Sequence, residues 1–126
     1  MRLVFDAGAL IALERGEPEM WRRWAVATRG DRRPPVTHGG VIGQVWRGGP
    51  RQARLARALP GLDVVALDER LGRAAGELMR SAATADVVDA ALIALSVDGD
   101  VVYTSDVGDL EHLAAVGGVE IQIVRV

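Results

Sequence analysis

Short apolar runs alternate with helix-length segments along the whole chain, and this alternation limits the possible folds more than any other feature. Leu3–Phe5, Val36-Thr37, Asp63–Leu67, Val101–Thr104 and Val119–Val124 read as strands. Between them, Ala7–Arg15, Glu17–Arg29, Gly39–Arg47, Arg51–Leu59, Asp68–Ala82, Asp86–Ser96 and Asp109–Val116 read as helices. Breaks fall where such elements should end: Gly16, Pro34-Pro35, Gly48-Gly49-Pro50 and Pro60-Gly61. Strands separated by helices favour parallel pairing, because a parallel crossover needs a long connection that a helix supplies. The expectation is an α/β three-layer sandwich around a mostly parallel sheet. With 126 residues, no repeat and no linker, residues 1–126 are expected to form one domain.

Composition removes several classes of function. The longest apolar stretches, such as Ala90–Leu95, are far shorter than the roughly 20 residues of a membrane span. Asp6 interrupts the only early apolar run, so no leader pattern opens the chain and a cytoplasmic protein is expected. Cysteine is absent, which excludes disulfides, thiol catalysis and cysteine-ligated zinc. Lysine is absent too: all 15 basic residues are Arg. Without it, a Walker-type phosphate loop, a receiver domain and a haloacid-dehalogenase-like phosphatase all lose a required group. No Gly-x-Ser-x-Gly elbow or His-containing metal motif occurs. His38 and His112 are isolated and read as surface or capping residues.

The carboxylates have a pattern. In an open parallel sheet the functional crevice lies beyond the carboxyl ends of the strands. Asp6 follows the first strand and Asp106 follows "VVYTSD", so both can face one edge. Asp86 and Asp89, three residues apart at a helix start, project from one face of its first turn. A cluster of like charges of this kind calls for a divalent cation, and an all-oxygen acidic site suits Mg²⁺ or Mn²⁺. Taken singly, Asp6, Asp86 and Asp106 also stand where helix N-caps belong, and Asp89 could complete a capping-box-like pair with Asp86. Capping and metal binding are compatible.

These segments resemble the PIN-domain ribonucleases, and among them the VapC toxins of bacterial toxin–antitoxin modules. "LVFDAGALIALERG" is similar to the family's opening strand, metal-binding Asp and helix. "PVTHGGVIGQVWRGG" resembles the segment of the second acid, "TADVVDAALIAL" the third motif, and "VVYTSDVGDL" the fourth, with Thr104, Ser105 and Asp106 as Thr-x-Asp. The resemblance implies a metal-dependent endoribonuclease that cuts structured RNA, tRNA or rRNA. It assigns Asp6, Asp89 and Asp106 as catalytic metal ligands, with Asp86 and Asp109 as auxiliary acids. A VapB-like antitoxin and a homodimer are the implied partners, and the apolar faces of the first two helices are the candidate antitoxin groove.

One position departs from the pattern. Where the family usually has Glu, this chain has Gln44, and no acid between Asp31 and Asp63 replaces it. An amide keeps the shape and one acceptor oxygen but loses the charge. A catalytically weakened PIN-like protein that holds an antitoxin or RNA without cutting is therefore the second reading.

Charge is also divided along the chain. Residues 22–57 carry nine Arg against Asp31, a local +8, while residues 63–126 carry twelve acids against four Arg, a local −8. This division suits an acidic metal site beside a phosphate-binding surface, or two solvated faces. Arg51, Arg54 and Arg57, spaced i, i+3, i+6, are the candidate RNA-phosphate contacts. Trp21 and Trp24 share a helix face and read as packing.

Overall fold

The structure, a computed structural model, describes residues 1–30 and 32–126. Asp31, the one acid of the Arg-rich segment, lies outside the described residues. Five strands form one all-parallel sheet: β1 (Leu3–Phe5), β2 (Val36–His38), β3 (Asp63–Val65), β4 (Val101–Thr104) and β5 (Gln122–Arg125). Their order is β3-β2-β1-β4-β5. The chain thus builds outward from β1 on one side, returns, and builds outward from β4 on the other. The β1–β4 pair is the point where the order reverses, which is where open parallel sheets place their ligand crevice.

Among the described residues seven α-helices connect the strands: α1 (Ala7–Glu14), α2 (Pro18–Ala27), α3 (Gly39–Val45), α4 (Ala53–Ala58), α5 (Glu69–Ala82), α6 (Val87–Leu95) and α7 (Val107–Gly117). α1 packs on α2, α3 and α4, while α5, α6 and α7 pack on one another. Register assigns the layers. Phe5 pairs with Tyr103 and packs on Trp24 of α2, whereas His38, on the other face, bonds to the first turn of α6. The result is the expected three-layer sandwich. Its central strands are covered on both sides, so Val4, Phe5 and Val102 are fully buried and apolar.

Several element ends differ from the sequence reading, each for a local reason. The helix expected from Gly39 stops at Val45, and Trp46 is extended. Gln52 holds the loop that follows: its Oε1 accepts from Arg47 N at 2.8 Å and Gly48 N at 2.9 Å, and its amide donates to Val45 O at 2.8 Å and to Glu14. Buried in this role, Gln52 keeps Pro50–Gln52 in a separate 3-10 turn and delays α4 to Ala53. Arg51 therefore lies outside the helix that carries Arg54 and Arg57. α7 begins at Val107, two residues before the expected start, and β5 is shifted toward the C-terminus. No helix among the described residues is long and apolar enough to cross a membrane.

Candidate metal centre

β1 ends at Phe5, and Asp6 leaves the sheet as the N-cap of α1. Its Oδ1 accepts from Ala9 N at 3.1 Å. Its Oδ2 accepts from the Thr104 hydroxyl, and Thr104 Oγ1 in turn accepts from Asp106 N at 2.7 Å. Thr104 thus ties the carboxylate after β1 to the backbone after β4. Gly8 permits the close approach of these two turns, since a Cβ there would stand 2.8 Å from Ser105 N. Asp6 is only 5% exposed, and burial raises its pKa against the opposing effect of these hydrogen bonds.

α6 supplies the second arm. Asp86 is its N-cap, accepting from Val88 N at 3.0 Å and Asp89 N at 3.1 Å. Asp89, half-buried in the first turn, has no such bond to make. His38 fixes that turn. Its Nδ1 accepts from Gly40 N at 3.0 Å, so the proton is on Nε2, which donates to Val88 O at 2.9 Å. His38 is fully buried, which lowers its pKa and keeps the ring neutral. It caps α3, as one sequence expectation had it, but it is not a surface residue.

The third arm is the first turn of α7. Asp106 stands at the N-cap position yet makes no side-chain cap bond; its carboxylate interacts with Asp109 and Asp89 instead. With Asp109, one turn on, it faces Asp89: ligand atoms of Asp89, Asp106 and Asp109 all lie within 4.8 Å of one another. The mutual repulsion is large. Burial first, then the charges of Asp86, Asp106, Asp6 and Asp109, push the Asp89 pKa up to about 7. Asp106 is raised as well, by desolvation and then by Asp109. Among the described residues the three salt bridges are Arg2–Asp100, Arg23–Glu19 and Arg73–Glu69, so no Arg neutralises the group.

Three chain segments thus bring five carboxylates to the β1–β4 edge. Asp89, Asp106 and Asp109 form the open cluster; Asp6 lies among hydrogen bonds within Coulombic reach of Asp89, and Asp86 is held as a cap. The donor set is all oxygen and uncompensated, which fits a divalent cation of the Mg²⁺ or Mn²⁺ kind. Gln44 is exposed on α3 and makes no hydrogen bond among the described residues. Arg51, Arg54 and Arg57 are all exposed. Arg54 and Arg57, with Trp21 and Gly16, line a shallow pocket of about 410 Å³, and Arg51 is not part of it.

Two participants were not singled out as site residues from the sequence. Thr104 was visible only as part of a Thr-x-Asp triplet, and the signal for its role is a hydroxyl at a strand end before an acid. His38 carried no local signal, because its partner Val88 is 50 residues away. No protein-family model and no curated protein matches this chain.

Proposed function

We propose that this protein is a metal-dependent endoribonuclease of the PIN, VapC-like kind. The observation that carries this reading is the convergence of Asp89, Asp106 and Asp109 at the strand-order reversal, with no salt bridge to an Arg among the described residues. Asp89, Asp106 and Asp109 would hold a Mg²⁺ or Mn²⁺ ion, with Asp6 and Asp86 orienting the turns that carry them. The ion would supply an activated water and charge stabilisation at phosphorus. The protein's own part is positioning. Thr104 and His38 hold two of the three arms, and the exposed Arg54 and Arg57 would supply bidentate contacts to RNA phosphates. The resemblance of the four motifs extends the proposal to a structured RNA substrate, tRNA or rRNA. It also extends it to a VapB-like antitoxin as partner, a homodimer and a cytoplasmic setting.

Incubation of the purified protein with total RNA and Mg²⁺, beside an EDTA control, tests this. Metal-dependent cleavage that disappears in Asp89→Asn supports the reading. No cleavage, even from Gln44→Glu, rejects it. One observation favours a second reading, a PIN-like binding protein that does not cut: residue 44 is an amide, exposed on α3 and unable to add charge to the site. RNA binding without cleavage by both forms would select it.

A further inference from the structure

A pocket of about 700 Å³ opens between α2 and strands β1 and β4, on the sheet face that carries Phe5 and Tyr103. Its walls have two characters. Leu3 and Val26 make an aliphatic wall, and Val26 is 49% exposed, an apolar side chain left facing water. Arg22, Arg32 and Arg33 stand around it, all exposed and without a salt bridge among the described residues. Among the described residues the one acid of the lining is Glu19, which is already bonded to Arg23 at 2.8 Å.

An occupant must therefore bring an apolar group and negative charge together. Unpaired nucleotides are the poorer match. Single-stranded recognition relies on open aromatic faces for stacking. Among the described residues of the lining the only aromatic ring, Tyr103, is stacked on Phe5 at 5.6 Å and capped by the Arg23 guanidinium at 5.1 Å. Carboxylates, by contrast, match the Arg fork in bidentate geometry, and a branched or aromatic side chain is what an aliphatic wall buries best. We propose that this pocket docks an acidic segment of a partner protein, with one large apolar side chain seated on Leu3 and Val26 and flanking Asp or Glu carboxylates paired with Arg22, Arg32 and Arg33. The proposal needs neither the ion nor RNA cleavage.

Panning a random dodecapeptide display library against the full chain tests it, followed by synthesis of the selected peptide and fluorescence anisotropy. The expected peptides carry a Leu, Phe or Trp flanked by acids. Their affinity falls by about tenfold or more in the Arg32→Glu, Arg33→Glu double variant, and weakens as salt rises. Val26→Asp weakens it similarly through the wall. Asp89→Asn leaves it unchanged, which separates this proposal from the nuclease reading. Arg22→Glu serves as a second charge reversal should the double variant fail to fold by circular dichroism. Selected peptides without acids, no selected peptides, or equal binding to the charge-reversed chain would overturn the proposal. Displacement of the peptide by a single-stranded oligoribonucleotide that itself requires Arg32 and Arg33 would assign the pocket to nucleic acid instead.

Discussion

Asp89 has the least favourable position of any carboxylate in the site, and its chemistry can be tested without any substrate. A carboxyl whose folded pKa is about 7, against an ordinary value of 3.8, favours folding fully only below the ordinary value. That contribution is lost as pH rises toward 7, because folding then confines a charge that the unfolded chain solvates freely. In EDTA, Asp89→Asn should therefore melt higher than the native chain at pH 8, and the gap should close on approach to pH 4. Thermal melts across that range provide the check; a gap independent of pH would mean that burial and the neighbouring carboxylates do not raise the Asp89 pKa. Gln44 allows a complementary experiment. If it adjoins the site, Gln44→Glu adds a like charge, so the variant should be less stable than the native chain in EDTA. Saturating Mg²⁺ should then return about 1–3 kcal/mol more to the Glu form than to the native chain. Equal metal-induced shifts in melting curves would place residue 44 outside the metal site. At this scale the sequence was informative about identity but not about allocation. Asp6, Asp86 and Asp106 all looked like caps, and only the folded geometry separates the two that cap from Asp106, which does not.

At the scale of elements, the site depends on how closely three turns approach. α1 and the β4–α7 turn touch at Gly8, where a side chain has no room beside Ser105. Gly8→Ala should cost about 1–3 kcal/mol by overpacking. It should also weaken Mn²⁺ binding, because the shift moves Asp106 relative to Asp89; unchanged Mn²⁺ affinity in the folded variant would count against that coupling. α6 depends in a similar way on β2. Removing the His38 ring leaves Val88 O and Gly40 N without their buried partner, so His38→Ala should lose about 3 kcal/mol, measured by urea unfolding. The order and type of elements were legible because apolar runs of strand length alternate with helical ones. The element ends were less so. α4 begins late because the Gln52 side chain holds the preceding loop through contacts up to 38 residues distant, which no local propensity encodes. α7 begins early because Asp106 marks the helix start by backbone position while its carboxylate does something else.

For the whole molecule, the strand order explains why carboxylates from residues 6, 89 and 106 can meet. β1 and β4 are far apart in sequence yet adjacent in the sheet, and each delivers an Asp just past its end. That much followed from the sequence once the sheet was taken as parallel. Which acids face one another did not, since it depends on how α6 and α7 sit over the sheet. The charge division has a structural counterpart: the unbalanced acids gather at this edge, while Arg22, Arg32 and Arg33 surround a separate pocket by α2. The central claim is that the acidic edge is a divalent-cation site. Calorimetric titration of the metal-free protein with Mn²⁺, native chain against the Asp89→Asn, Asp106→Asn double variant, tests it most directly. One saturable site is predicted for the native chain, with a stabilisation of about 2.7 kcal/mol at a hundredfold excess over Kd, and no comparable site in the variant. Equal binding by both proteins, or none by the native chain, would contradict it.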